Sequence, residues 1–179
     1  MAYYTRKGDG GTSGLLGEGR KSKSDLVFQA MGDVDELNSA IGIALYYTRD
    51  RIVRSRLKEI QNELFIVGAD LSSLDSGKVA KAQLDEGSIL ALEASIEEMS
   101  RRMPALKKFV IPGGCEASVH LHLARAIARR AERSVVAASA KYKVDPKIKG
   151  YMNRLSSYLF VAALYLNRRE GVKESHPTY

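Results

Sequence analysis

The chain has 179 residues, 45% hydrophobic and 27% charged, with a formal net charge of +7. That length buries a full core in one domain, residues 1–179, without disulfide or metal staples. The single cysteine, Cys115, excludes an intrachain disulfide framework and a cysteine-type zinc site.

No apolar run approaches the ~20 residues of a membrane span, and the start lacks a signal-peptide core. The expectation is a chain without a membrane partner, working in a reducing cytoplasm, its positive charge directed at an anionic ligand such as a nucleotide or nucleic acid.

In chain order, the first feature is Thr5-Arg6-Lys7-Gly8-Asp9-Gly10-Gly11-Thr12-Ser13-Gly14, which places four glycines, three hydroxyls and two cations in ten residues. Glycines let successive amides face one concavity, hydroxyls add donors, and Arg6 and Lys7 add charge, so the segment suits phosphate. A frayed glycine-rich leader is the alternative.

Helical periods follow. Val27, Met31, Val34, Leu37 and Ile41 predict a first helix over residues 25–48, carrying Gly32-Asp33-Val34-Asp35-Glu36-Leu37-Asn38 with Asp35 and Asn38 one turn apart. Steps of three and four through Leu57, Ile60, Leu64, Val67, Leu71 and Leu74 predict a second helix, and Ile89, Leu92, Ile96, Met99 and Met103 a third. Val119, Leu123, Ile127, Ala131 and Val135 predict a fourth over residues 114–142. Ile148, Met152, Leu155, Leu159, Ala162 and Leu166 predict a fifth, started by Asp145-Pro146 and stopped near Gly171. The breaks at residues 74–85 and 104–113 lack the alternation of a sheet, so the fold expected is an all-α, five-helix bundle.

On the fourth helix Arg125, Arg129, Glu132 and Arg133 share one face, placed opposite the Val119, Leu123 and Ile127 stripe. Arginine at every cationic position favours bidentate phosphate binding over a solvated outer face. Residues 153–160 of the fifth helix set Asn153, Ser156 and Ser157 into an apolar stripe, where mutual hydrogen bonding is the ordinary fate. Gly14-Leu15-Leu16-Gly17-Glu18-Gly19-Arg20-Lys21-Ser22 is one residue out of register with a Walker A loop. Glu116, His120 and His122 lie on a single helix and do not make a di-iron set, so these histidines are expected to be structural and partly exposed.

Residues 5–16, 32–38, 108–114, 125–133 and 153–160 together resemble, in this order, the PduO-type ATP:cob(I)alamin adenosyltransferases. The resemblance implies transfer of the 5′-deoxyadenosyl group of ATP to the cobalt of a reduced corrinoid, with release of triphosphate. It implies a homotrimer with ATP held between subunits, the leader (residues 1–24) of one chain facing the arginine helix of its neighbour.

By the same likeness, Asp35, Arg129 and Arg133 are the catalytic set, Asp35 pairing with Arg129 across the subunit boundary. Thr5, Arg6, Gly8, Asp9, Gly11, Thr12, Ser13, Lys23, Arg129, Glu132, Arg133 and Asn153 bind ATP. Glu132 orders Mg²⁺ or nucleotide, and Phe109 packs at the corrin face and displaces the lower axial ligand. A flavin-type reductase and a cobalamin-dependent enzyme are the implied protein partners. Ser13 stands where the family often has Thr and keeps the hydroxyl; Ser157 stands where it often has Asp and loses a charge. The competing readings are a basic helical bundle that binds RNA and an ATP-sensing regulatory trimer without transfer activity.

Overall fold

Each predicted apolar stripe winds into one helix. In the computed structural model, which describes residues 3–16, 19–74 and 82–179, these are α1 (Leu26–Tyr47), α2 (Arg51–Ser73), α3 (Glu86–Arg101), α4 (Glu116–Ala138) and α5 (Pro146–Arg169). Residues 75–81, within the predicted break before α3, and Gly17 and Glu18 lie outside the described residues.

Aspartate starts four of the five helices. Asp25, Asp50, Asp85 and Asp145 each accept an amide of the first turn, as at Lys147 N (2.8 Å) and Ser88 N (2.9 Å). Caps of this kind are worth about 1 kcal/mol each. The end of α5 is a Schellman turn: Gly171 (φ 72°) donates to Arg168 O and Val172 to Asn167 O, so Gly171 is the stop that the sequence suggests.

The helices pack in the order α2, α1, α4, α5, α3 around one core. Polar bonds close the ends of this series. Buried Arg56 of α2 pairs with Glu63 (3.1 Å) and donates to Ser88 O of α3, while the Tyr151 hydroxyl of α5 donates to Glu63 (2.7 Å).

Two expectations need correction. The leader is not without strands: β1 (Thr12–Gly14) pairs antiparallel with β2 (Arg20–Ser22), a hairpin too short to show alternation in sequence. The apolar stripe of α4 is also only partly buried: Ile127, Ala131 and Val135 face the core as expected, but Val119 and Leu123 are 46% and 53% exposed, and Ala117, Leu121, Ala124 and Ala128 are buried in their stead. Alanines let α1 and α5 approach α4 closely, so the buried side is the small one. Val119 and Leu123 consequently share the outer side with the arginines rather than opposing them.

Candidate functional site

Close packing of α4 on α5 sets Arg129, Glu132, Arg133, Val136, Ala137 and Asn153 around an open groove of about 460 Å³. Asn153 Nδ2 donates to Glu132 Oε1 at 2.9 Å, which fixes the carboxylate at the groove wall. Arg129 and Arg133 are exposed and form no hydrogen bond or ion pair among the described residues. Two guanidiniums thus stand free beside one carboxylate, an arrangement that suits a polyanion with a counter-cation.

Arg130 behaves differently. It turns to α1, pairing with Asp33 (3.3 Å) and Glu36. Asp33 is only 5% exposed and also accepts from Ser134 and from Gln29 (3.0 Å). Burial pushes the Asp33 carboxyl up, but the hydrogen bonds from Ser134 and Gln29 and the charge of Arg130 outweigh it and hold the group below its ordinary value. Sequence reasoning singled out Asp35 in this stretch and missed the role of Asp33. Asp35 is exposed, has no partner among the described residues, and is not brought to Arg129 within one chain. Asn38, by contrast, is buried and donates to Gln61 O on α2.

The leader is an ordered hairpin beside the amino end of α1. Arg20, which sequence reasoning also missed, donates to Thr12 Oγ1 (3.1 Å), Thr12 O (2.8 Å) and Lys7 O, closing the hairpin on itself. Arg6 takes positive φ (56°) and Gly11 likewise (74°), so the chain turns sharply between them. Asp9 N donates to Arg6 O and Gly11 N to Gly8 O, while Lys23 N reaches back to Gly11 O at 2.8 Å. The Lys23 ammonium lies 3.1 Å from where a Cβ on Gly8 would stand, which places this cation over the glycine turn. Ser13 and Lys23 thus belong to one small element, with Ser13 opposite Lys21 in the hairpin, while Thr5 precedes its first turn in sequence. No described leader residue lines the arginine groove.

Phe109 lies in the connection from α3 to α4 and is 81% exposed, so it is not a core residue. The carboxy-terminal tail runs alongside it. Ile111 N donates to Ser175 O (2.8 Å), and His176 Nδ1 meets Phe109 O at 2.8 Å. Next to this strip, Met103, Leu106, Phe160, Leu164, Val172 and His176 help to line a largely apolar cavity of about 720 Å³. Neither the cavity nor the tail's part in it had a signal in the sequence, because the bridging bonds are mostly from backbone.

His120 stacks on Tyr47 at 4.7 Å. His122, expected to be partly exposed, is instead 3% exposed, with both ring nitrogens unpaired and its ring set against Phe160. Burial and the Arg125 charge hold its imidazole below the ordinary value. Burial likewise raises the Cys115 thiol, which keeps it protonated. Among the described residues no three metal-binding side chains gather. Glu132 still fits Mg²⁺ held mainly by phosphates, since one oxygen is spent on Asn153 and the other is not hydrogen-bonded.

The helical bundle thus carries a cationic groove between α4 and α5 and an apolar cavity lined by the carboxy-terminal parts of α3 and α5 and by the tail. The cobalamin adenosyltransferase family model matches residues 3–166, and the chain belongs to that family. It is 42% identical to a corrinoid adenosyltransferase of Bacillus subtilis over 176 residues, covering 96% of this chain and 90% of that protein. It is 38% identical to the corrinoid adenosyltransferase MMAB of Homo sapiens over 177 residues, covering 96% of this chain and 71% of the relative.

Among solved structures, a phenylalanine-to-alanine variant of the PduO-type ATP:corrinoid adenosyltransferase from Lactobacillus reuteri, complexed with cobalamin and ATP, superposes with a TM-score of 0.92. That match has 33% identity and covers 99% of this chain and 100% of that one. An arginine-to-lysine variant of the same enzyme complexed with ATP gives 0.91 at 33% identity, covering 98% and 99%.

Proposed function

We propose that this protein transfers the 5′-deoxyadenosyl group of ATP to the cobalt of a reduced corrinoid. The cobalt(I) electron pair forms the Co–C5′ bond as the C5′–O bond breaks, and triphosphate leaves with the electron pair of the broken C–O bond. The observation that carries this reading is the free arginine pair of α4 beside Glu132 and Asn153, in a chain of this family that also has an apolar cavity lined by His176, whose ring meets the Phe109 carbonyl.

The nucleophile belongs to the corrinoid, so the protein's work is placement and charge. Arg129 and Arg133 clamp the triphosphate as charge grows on the leaving oxygen. Asn153 and Glu132 orient the nucleotide, and Glu132 is the residue that would hold Mg²⁺, which would supply further positive charge. Thr5, Arg6, Gly8, Asp9, Gly11, Thr12, Ser13 and Lys23 form a second phosphate cradle. Phe109, free of core packing, presents its ring to the corrin and excludes a lower axial ligand. The cavity beside it takes part of the macrocycle, which adds Phe160 and Leu164 to the corrinoid side.

The leader and the groove are completed between subunits of a homotrimer, in which Asp35 meets Arg129 of a neighbour. The separation of leader from groove within one chain supports this, as do Val119, Leu123 and Val136, which leave apolar surface exposed along the arginine side of α4. A flavin-type reductase supplies cobalt(I), a cobalamin-dependent enzyme receives the product, and the cytoplasm is the compartment. No helix among the described residues is long and apolar enough to cross a membrane. The RNA-binding and regulatory readings gain no support: Arg130 is already neutralised by Asp33 and Glu36, and neither reading uses the apolar cavity.

The leaving group tests the reaction. With ATP, Mg²⁺ and chemically reduced cobalamin, intact triphosphate should accumulate in step with corrinoid consumption, whereas release of ADP or orthophosphate alone would contradict the reading.

A further inference from the structure

We infer that Asn167 is a positioning residue for the corrinoid: it clamps the loop that carries Phe109. Asn167 lies in the last turn of α5 and is fully buried. Its Oδ1 accepts from Cys115 N at 2.9 Å, and its Nδ2 donates to Gly113 O at 3.1 Å and to Glu174 Oε1 at 3.1 Å. Its backbone carbonyl takes Val172 N at 2.8 Å. One side chain therefore ties together α5, the loop before α4, the start of α4 and the tail, with both amide hydrogens and the carbonyl in use.

The loop is laid directly on this carboxamide. Gly114 takes φ 115°, and a Cβ there would stand 2.0 Å from Asn167 Oδ1, so no side chain fits at this position. Helix α4 is also the one helix whose N-cap residue, Cys115, makes no side-chain cap bond. Its start is held from α5 instead.

The clamp reaches Phe109 by two routes. Through Gly113 and Cys115 it fixes the loop two and four residues beyond Ile111. Through Glu174 it fixes the tail, which bonds Ile111 at Ser175 and the Phe109 carbonyl at His176. An 81% exposed ring has little packing to hold it, so its position is that of its backbone. Packing alone would be served by leucine at position 167, whereas a buried carboxamide with every hydrogen bond made specifies one loop conformation. Misplacement of a substrate-positioning group by about 1 Å costs on the order of 10²-fold in rate.

This inference rests on the reading that Phe109 meets the corrinoid, and the test separates the two. Asn167→Asp is isosteric but sets an oxygen against Gly113 O and Glu174. Asn167→Leu removes all three side-chain bonds, and the double variant Asn167→Asp with Glu174→Gln restores a donor to the tail. Hydrogen exchange over residues 109–116 and 172–176 is measured on the full chain, together with KM for cob(I)alamin and KM for ATP.

In Asn167→Asp, exchange in both segments should rise and the corrinoid KM should increase about tenfold, with the ATP KM within about twofold of wild type. The double variant should recover part of both losses. Unchanged exchange, equal changes in the two KM values, or an unmoved corrinoid KM where Phe109→Ala raises it would each overturn the inference alone. No transfer by the wild-type chain would overturn the functional reading and the inference with it.

Discussion

Arg129→Lys is the substitution that most sharply separates a phosphate clamp from a solvated helix face. Arg129 is exposed and has no partner among the described residues, so lysine breaks no bond within the subunit and keeps the charge proposed to meet a neighbour's Asp35, and the two residues have nearly equal helix propensity. The melting temperature should therefore stay where it is. What is lost is the planar fork. If Arg129 grips the triphosphate through two parallel hydrogen bonds and lysine retains one, transition-state stabilisation falls by about one charge-assisted bond, or about tenfold in kcat/KM for ATP.

The neighbouring arginine is the internal control. Arg130→Met removes the pairs with Asp33 and Glu36 and leaves a 5% exposed carboxylate with only Ser134 and Gln29, so it should lower the melting temperature while sparing the ATP KM. Steady-state transfer at saturating corrinoid with varied ATP, alongside thermal melts, reads both. Unchanged kcat/KM for ATP in Arg129→Lys, or a melting loss there as large as in Arg130→Met, would refute the clamp.

Phe109→Ala removes an 81% exposed ring and should leave the melting temperature unchanged, unlike a buried phenylalanine, which costs about 3–5 kcal/mol on truncation. It should slow transfer from cobalt(II) reduced on the enzyme far more than from free cob(I)alamin, and parallel loss of stability and ATP binding would count against the corrin assignment. His122 titrates below its ordinary 6.5 in the fold, so the unfolded chain binds the proton first and stability should fall as pH drops below about 6.5. His122→Phe should flatten that part of the stability–pH curve, and an unaltered acid limb would exclude His122 as its source. For the shared site, sedimentation should give a trimer at micromolar concentration, and mixing subunits of Arg129→Ala with subunits of Arg6→Ala should restore activity that neither has alone; an active monomer would contradict it.

The bundle was legible because large apolar residues recur at helical spacing in α2, α3 and α5, and because Asp145-Pro146 and Gly171 mark ends by backbone chemistry alone. Helix α4 was read correctly at Ile127, Ala131 and Val135, which are buried, and wrongly only in its first two turns. Hydropathy weights Val119 and Leu123 above alanine, yet close helix contact selects Ala117, Ala124 and Ala128 for burial. The groove was readable from arginine choice and spacing at Arg129, Glu132 and Arg133, but Arg125, expected on the same face, lies over the Phe160 ring and does not line it. The hairpin, the Asn167 clamp and the tail were not readable. Their bonds join residues far apart in sequence, many through backbone atoms that every residue carries, so no local pattern announces them.

Formation of the Co–C bond itself is the most direct test of the central claim. The protein is incubated in the dark, without oxygen, with cob(I)alamin and ATP labelled at C5′, and the corrinoid is followed by its visible absorption and then isolated. The account predicts a light-labile alkylcobalt spectrum that appears only with protein and ATP, the label residing in the corrinoid in equal amount to the triphosphate released. Label that stays in nucleotide, or a corrinoid that returns unalkylated while ATP is consumed, would contradict it.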